Sequence, residues 1–432
     1  LITMKFLATT LLSTIIGTAA MAQQVPAKPQ QKPIAITGAT AHVGNGEVIE
    51  NAVITFENGK ITNILEGSTI RLDPANTDII NATGKHVYPG LIAPNTNLGL
   101  AEVEALKQTR DFNELGSMNP NVRALIAYNT DSKVTPTVRS NGVLIAQVTP
   151  RGGRISGMSS IMNLDGWNWE DAALLPDDGI YLNWPRMFTY SGWWAAPGGV
   201  KKSENYDKQV DEIKDFFLEA KAYAERKSPN PVNLKMESMR LLFSKNRTLF
   251  IRADYVKEIM AAVQFADEMG VKMVIAGGED AHLATDLLKS KNIAVILTPL
   301  HSLPNNDDDD VALPYKRAKL LQDAGVLFCL SVGDFWQQRN LPFQAGTAVA
   351  YGLTKEQALQ AITLNTAKIL SIDGSVGSLK VGKEATLIIS EGDILDMRTS
   401  NVTHAFISGR QIDLNNKQKD LYNKFKDKYN NQ

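Results

Sequence analysis

Residues Pro89 to Asn97 read PGLIAPNTN and mark the point where the pattern of the chain changes. The stretch follows a glycine-rich region of short apolar alternations and opens an apolar run of its own. Such runs are typical of buried strands. We interpret it as the first strand of a barrel, in which the carboxyl ends of the strands carry the chemistry. Asn95 and Asn97 would lie at that end.

Downstream of this strand, apolar runs alternate with helical patterns. The clearest strands are GVLIAQVTP, TLFIRAD, KMVIAGG, IAVILTP and VLFCLSVGD, and the clearest helical patterns are Tyr255–Met269, His282–Lys289, Pro314–Ala324 and Lys355–Leu370. Alternation of this kind predicts an α/β fold with a parallel sheet. We expect a (β/α)8 TIM-like barrel over residues 89–375. A tryptophan-rich stretch at about 163–200 is interpreted as an insert that forms a lid or an aromatic platform, or else a self-packed surface insert or a subunit contact.

Both flanks of the barrel show a different pattern. Residues 34–88 and 376–413 contain short apolar alternations separated by glycine turns such as Asn58-Gly59. Two-residue turns of this type favour hairpins. These flanks are therefore predicted to be β structure, and residues 414–432 a polar C-terminal tail.

The N-terminus has the features of an export signal. A basic start at Met4 and Lys5 precedes an apolar segment and the small-residue sequence Ala20-Met21-Ala22. We predict a signal peptide at 1–22, a Pro- and Gln-rich linker at 23–33, and a periplasmic or secreted protein. The alternative is a membrane anchor, for which about fifteen apolar residues are too short.

Charge excludes two classes of partner. The chain carries 45 basic and 46 acidic residues, a formal net charge of -1. This balance gives no electrostatic reason to expect nucleic acid or an anionic membrane surface. We expect a small-molecule ligand or substrate, and a homo-oligomer or a complex with a paralogous chain remains open.

Several segments together resemble one family. PGLI, the opening GATAHVGNGEVIENAVITFENGKI, the pattern TPRGGRISGMSSIMNLDGWNWED and the closing VGSLKVGKEATLIIS follow one another over about 370 residues as they do in the imidazolonepropionase-like, exported branch of the amidohydrolase superfamily. The resemblance implies a barrel joined to one small β-sandwich built from both chain ends. It also implies hydrolysis of carbon-nitrogen bonds and a zinc site.

The zinc ligands implied by the resemblance are largely missing. Asn95 and Asn97 stand where the family has a His-x-His pair, and neutral amides are weak zinc ligands. Arg252 and Asp254 end the fifth strand, where the family has a histidine, and Gly277 is near the histidine position of the sixth. Asp334 matches the aspartate that binds metal and transfers a proton in the family. We expect these residues to bind no metal ion.

The amide pair is open to three interpretations. Asn95 and Asn97 could simply hydrogen bond inside a barrel that lost its metal. They could instead bind a polar ligand beside Arg252 and Asp254, or form part of an oxygen-rich site for magnesium or calcium.

Two further residues are candidates. His301 follows the seventh strand and could act as a general base or substrate donor, or be an ordinary loop histidine. Trp336 follows Asp334 and is expected to line the pocket.

Two functions are consistent with these residues. The first is hydrolysis of a cyclic amide or an N-acyl or dipeptide-like compound, with Asp334 as the catalytic acid or base. The second is a catalytically inactive relative that binds a small molecule or pairs with an active paralogue.

Overall fold

The computed structural model describes residues 24–67, 72–193, 196–304 and 309–430. The predicted signal peptide, residues 1–22, lies outside these residues. No helix in the described ranges is both long and apolar enough to cross a membrane.

Both chain ends contribute to one eight-stranded sheet. Its strands are β1 (Ile34–His42), β2 (Val48–Glu57), β3 (Lys60–Glu66), β4 (Asp78–Asn81), β5 (His86–Pro89), β16 (Leu387–Ser390), β17 (Val402–Ile407) and β18 (Arg410–Gln411). The order is β18-β17-β16-β5-β1-β2-β3, and β4 also pairs with β1. The pairing of β5 with β16 joins the two ends of the chain. A core that includes Phe56 and Phe406 fills this domain.

The second sheet is the barrel. Its strands are β6 (Leu91–Thr96), β7 (Val143–Val148), β8 (Ile155–Asn163), β9 (Ala173–Asn183), β12 (Thr248–Ala253), β13 (Met273–Gly277), β14 (Ala294–Leu297) and β15 (Phe328–Leu330). They follow one another in chain order around the sheet. Seven run in parallel, and β8 is antiparallel to both of its neighbours. The predicted TIM-like barrel with an added β domain is confirmed, with one strand reversed.

Helices surround the barrel. They are α1 (Ala124–Ala127), α2 (Thr135–Arg139), α3 (Trp169–Ala172), α4 (Tyr206–Ala224), α5 (Leu234–Phe243), α6 (Val256–Met269), α7 (Thr285–Ser290), α8 (Leu313–Ala324), α9 (Leu341–Ala350), α10 (Lys355–Ala361), α11 (Leu364–Ile369) and α12 (Lys417–Asn430). The last lies in the predicted polar tail and buries none of its side chains.

The predicted insert at 163–200 needs correction. Residues 173–183 form β9, a barrel strand, whereas α3 and the hairpin of β10 (Phe188–Trp193) and β11 (Ala196–Lys202) lie outside the barrel sheet. Trp184 is buried against Phe265 and donates to the Tyr206 hydroxyl over 3.2 Å. It is therefore part of the core rather than of a lid.

Side chains close the barrel between its first and last strands. The two strands share no backbone ladder in the described structure. Instead, the Thr96 hydroxyl donates to the carbonyl of Asp334 over 2.5 Å. The Ser331 hydroxyl donates to the carbonyl of Pro94 over 3.2 Å. We call this line of contacts the seam.

The predicted linker at 23–33 lies against both domains. The Gln24 amide donates to Asp131, and the Ala27 amide donates to Asp165. The Gln30 side chain accepts from Gly59 in the β2–β3 hairpin. This segment therefore contacts the barrel and the β domain together.

Candidate functional site at the barrel mouth

Asn95 occupies a bulge near the end of β6. The pairing register of β6 with β7 shifts between Ala93 and Thr96, and Asn95 has a φ of 51°. Asparagine adopts this left-handed conformation more readily than most residues. Its backbone N–H donates to Gln147 Oε1 over 3.1 Å, which fixes the bulge against β7.

Arg252 lies opposite Asn183 in the ladder between β12 and β9. Its Nη2 donates to Asn95 Oδ1 over 3.3 Å and to the carbonyl of Pro150 over 3.1 Å. Its Nη1 donates to Asn183 Oδ1 over 3.1 Å. The structure therefore brings together two of the predicted site residues, Asn95 and Arg252.

Asn183 is oriented by its other partners. Its Nδ2 donates to the carbonyl of Gly153 over 2.7 Å and to Ser156 Oγ over 3.0 Å. The amide oxygen must then face the guanidinium of Arg252, since that group can only donate. Ser156 and Gly153 are available here because β8 begins at the mouth, whereas a parallel strand would end there.

The guanidinium of Arg252 also lies over an aromatic ring. Its carbon is 4.4 Å from the centre of the Tyr181 ring, within the range of a cation–π contact. Burial lowers the pKa of Arg252 well below its usual value, and the positive charge of Arg151 lowers it further.

Arg151 is the second cation of the mouth. It lies in the loop from β7 to β8, where Gly152 and Gly153 have φ values of 77° and 60°. Its Nη2 donates to the carbonyls of Asn95 over 2.9 Å and Gly333 over 2.6 Å, so it spans the seam. Burial lowers the pKa of Arg151 as well.

Neither cation has a carboxylate partner within the described residues. The acceptors of Arg252 are hydroxyl, amide and carbonyl oxygens, and those of Arg151 are carbonyl oxygens. Neither residue takes part in an ion pair of the described chain. Neither guanidinium of the mouth is therefore paired directly with a carboxylate.

Asp254 is held away from Arg252 by another partner. Its carboxylate pairs with Arg186 over 2.9 Å. A Cβ atom at Gly277 would lie 2.3 Å from Asp254 Oδ1, so glycine at this position leaves room for the carboxylate. Burial raises the pKa of Asp254, while Arg186 opposes that effect.

Asp334 follows β15 and is partly exposed. Its Oδ1 accepts from the backbone N–H of Gln337 over 2.7 Å, at the start of the short 3-10 helix Trp336–Asn340. Burial raises the pKa of Asp334, and the hydrogen bond from Gln337 partly offsets it. Asp334 also feels the charge of Arg151, which places its carboxylate near the second cation.

The remaining predicted residues make different contacts. His301 Nε2 lies 2.7 Å from Thr347 Oγ1 in α9, and no described contact connects it with Arg252 or Asp334. Trp336 packs under the guanidinium of Arg339. Asn97 is 8% exposed, and its Oδ1 accepts no hydrogen bond in the described structure.

A polar chain continues below the mouth. The Tyr181 hydroxyl donates to Gln147 Oε1 over 2.8 Å, and Gln147 Nε2 donates to Asp178 Oδ2 over 2.7 Å. Asp178 is 6% exposed, and burial raises its pKa to about 6. Gln147 thus connects Asn95 at the mouth with a carboxyl group in the interior.

Comparisons with known proteins agree with this architecture. The model of the amidohydrolase family matches residues 315–412, which include Asp334 and the strands β16 to β18. Imidazolonepropionase of Thermoplasma volcanium is 23% identical over 365 residues, which cover 80% of this chain and 85% of that protein. The amidohydrolase tasK of Hapsidospora irregularis is 35% identical over 113 residues, but these cover only 24% of this chain and 12% of tasK.

The solved structure of an amidohydrolase from Thermotoga maritima superimposes with a TM-score of 0.76 at 24% identity. The match covers 88% of this chain and 99% of that one. This chain is similar to amidohydrolases over most of its length, and residues 315–412 match the family model itself.

Amidohydrolases usually bind a metal, but the residues at this barrel mouth do not fit a divalent cation. The Asn95 amide oxygen, which would have to be a ligand, accepts from the guanidinium of Arg252. That guanidinium would repel a metal ion. Gly277 has no side chain to donate, and Asp254 is paired with Arg186. Among the described residues, no group of three or more His, Cys, Asp or Glu is placed to hold a metal.

Sequence analysis missed several residues of the site at the barrel mouth. They are Thr149, Arg151, Ser156 and Asn183, all of which contact Arg252 or Asn95. The sequence TPRGGR offered a signal, because two arginines beside two glycines suit a tight loop with exposed cations. Their position at the mouth depends on the reversed direction of β8.

Proposed function

We propose that the barrel mouth binds a small polar molecule with a guanidinium, rather than a divalent metal, as its central cation. One observation carries this proposal. Arg252 donates to Asn95 Oδ1, at the end of the strand that supplies the histidine pair in the family. The other acceptors of Arg252 hold the guanidinium in place from several directions.

The chemistry of the two cations differs in a way that matters for function. A metal ion polarises a bound carbonyl and lowers the pKa of a bound water. A guanidinium offers directed hydrogen bonds and a fixed charge, and it does not activate water. Binding is therefore better supported than metal-assisted hydrolysis.

Catalysis is the second candidate, and two observations favour it. The relatives include imidazolonepropionases that match most of this chain. Asp334 lies at the end of the eighth strand, and burial raises its pKa in the direction expected of a general acid or base. Its substrate would be a cyclic amide or an N-acyl or dipeptide-like compound, cleaved at a carbon-nitrogen bond outside ordinary peptide bonds.

The proposal also includes the cellular location of the protein and its possible partners. Residues 1–22 support export to the periplasm or beyond the cell. A protein that binds without turning over substrate could act alone, as a homo-oligomer, or beside a paralogue that keeps its histidines.

Elemental analysis of the purified protein, together with turnover assays on cyclic and N-acyl amides, tests the proposal. We expect less than stoichiometric zinc and no turnover above background. Stoichiometric zinc with turnover that Asp334→Asn abolishes would instead establish the hydrolase. Arg123→Gln is the control variant, because Arg123 pairs with Asp177 and not with Asp334.

A further inference from the structure

We infer, on the basis of the proposed binding function, that the ligand carries a single carboxylate group that Arg151 and Arg252 bind at the barrel mouth. The positive charges of Arg151 and Arg252 are the first reason. Both guanidiniums donate to Asn95, Arg252 to the side-chain oxygen and Arg151 to the backbone carbonyl, and their described hydrogen-bond partners are all neutral. Partly buried like charges without a directly paired anion are costly, and an anion between them lowers that cost.

The two arginines have different tasks. Arg252 uses both Nη atoms on five acceptors of the chain, and its Nε is sealed from solvent. It is a fixed charge beneath the site. The described contacts of Arg151 all come from Nη2. Its Nε and Nη1 donate to no acceptor in the described chain, and neither is sealed from solvent.

The backbone next to Arg151 is uncovered at one point. A Cβ atom added to Gly333, whose carbonyl accepts from Arg151, would meet no heavy atom within 4 Å. A carboxylate can accept a charge-assisted hydrogen bond from Nε or from Nη1 of Arg151.

The surrounding acids select a monoanion. Asp334, when ionised, offsets part of the charge of Arg151. Asp254 is paired with Arg186 and adds no free negative charge. The positive charge that remains matches one carboxylate better than the dianionic form of a phosphate.

Matched probes test this inference on the full-length mature protein. N-acetylglycine and N-acetylglycinamide differ only in the carboxylate, and inorganic phosphate at pH 8 supplies a dianion. Thermal unfolding is followed at constant ionic strength, with each probe up to roughly 50 mM, a concentration that would saturate a site of millimolar affinity. We expect N-acetylglycine to raise the melting temperature, and the amide and phosphate to raise it much less.

Substitutions test whether Arg151 binds the carboxylate of N-acetylglycine. In Arg151→Gln we expect the apparent Kd for N-acetylglycine to rise about tenfold or more, as for loss of a charged hydrogen bond. Arg151→Lys should lose less, and Arg123→Gln should bind like the wild type. The comparison of acid and amide needs only the wild-type protein, so it remains decisive if Arg151→Gln is unstable.

Three results would overturn the inference. They are equal stabilisation by acid and amide, stronger stabilisation by phosphate than by N-acetylglycine, and no response to N-acetylglycine over the whole concentration range. Equal binding of the amide would leave metal-free ligand binding intact. Zinc-dependent turnover would contradict the proposed function. Preferential binding of N-acetylglycine over N-acetylglycinamide could still be measured independently.

Discussion

Asp178 gives the molecule a stability that depends on pH. Burial raises its pKa to about 6 from a usual value of 3.8. Between about pH 4 and 6 the folded protein therefore holds a proton that the unfolded chain has released. Stability falls as pH rises through this window, by at most about 3 kcal/mol.

Asp178→Asn should remove this dependence. The asparagine keeps an oxygen to accept from Gln147 and cannot ionise. Chemical denaturation at pH 4, 5, 6 and 7 should give a free energy of unfolding that declines more steeply for the wild type than for the variant. Asp177→Asn is the control, because that neighbouring carboxylate is paired with Arg123. Identical slopes for wild type and Asp178→Asn would contradict the prediction.

The close packing of Gly277 against the Asp254 carboxylate can also be tested. Alanine at this position would place Cβ 2.3 Å from Asp254 Oδ1, and the φ of 113° is unfavourable for any side chain. We expect Gly277→Ala to lower the free energy of unfolding by about 1–3 kcal/mol. Gly374→Ala, where a Cβ meets nothing within 4 Å, should unfold like the wild type. Equal stability of the two variants would argue against this packing.

Part of the site was predictable, because the sequence shows both the type of each side chain and its position at the end of a strand. Arg252 ends a clear apolar strand, and Asn95 ends another, so their meeting at one rim followed from the barrel. Arg151 was not identified, because its place depends on a loop whose direction no local pattern reveals. His301 was a reasonable candidate by position, but a single hydrogen bond to Thr347 turns it toward α9.

Strand prediction succeeded where apolar residues were continuous. The segments that became β7, β12, β13, β14 and β15 are apolar runs bounded by turns, and each forms a strand. The two barrel strands that were missed, β8 and β9, contain the polar or turn-forming stretches SGMSS and PDDG. They pair with each other in an antiparallel ladder, and contacts with the neighbouring strands stabilise both. Local propensity could not reveal them.

The helix predicted over Lys355–Leu370 is two helices. α10 ends at Ala361 and α11 begins at Leu364, and the break has a physical cause. The Thr363 hydroxyl bonds back to the carbonyl of Leu359 over 2.6 Å. The carbonyl of Ile362 instead accepts from the backbone N–H of Ile92 in β6. Periodicity alone continued through this point because apolar residues recur on both sides.

The seam between β6 and β15 can be tested through Thr96. Its hydroxyl donates to the carbonyl of Asp334 and accepts from the Leu98 N–H over 3.1 Å. Thr96→Val keeps the shape and leaves that buried N–H without its acceptor, so we expect a loss of about 1–3 kcal/mol in the free energy of unfolding. Thr62→Val is the control, since that hydroxyl bonds Thr55 on an exposed face. A Thr96→Val variant as stable as its control would show that the seam does not depend on this contact.

The barrel and the β domain are held together by more than the continuous chain. Asp165 pairs with Arg139 of α2 over 3.1 Å and with Arg410 of β18 over 3.4 Å. Its Oδ2 also accepts from the Ala27 N–H over 3.1 Å. One buried carboxylate thus joins the barrel, the C-terminal strands and the segment that precedes β1.

Asp165→Asn should therefore weaken the whole molecule rather than one element. The variant keeps the shape of the side chain but leaves two arginines around a neutral amide, one of them, Arg139, almost fully buried. Breaking one partner of a buried ion pair typically costs about 3–5 kcal/mol. We expect a loss of about 3 kcal/mol in chemical denaturation, with circular dichroism and tryptophan fluorescence reporting one common transition. Asp396→Asn removes an exposed partner of Arg398 and should change nothing measurable. If Asp165→Asn were as stable as Asp396→Asn, Asp165 would not be what couples the two domains.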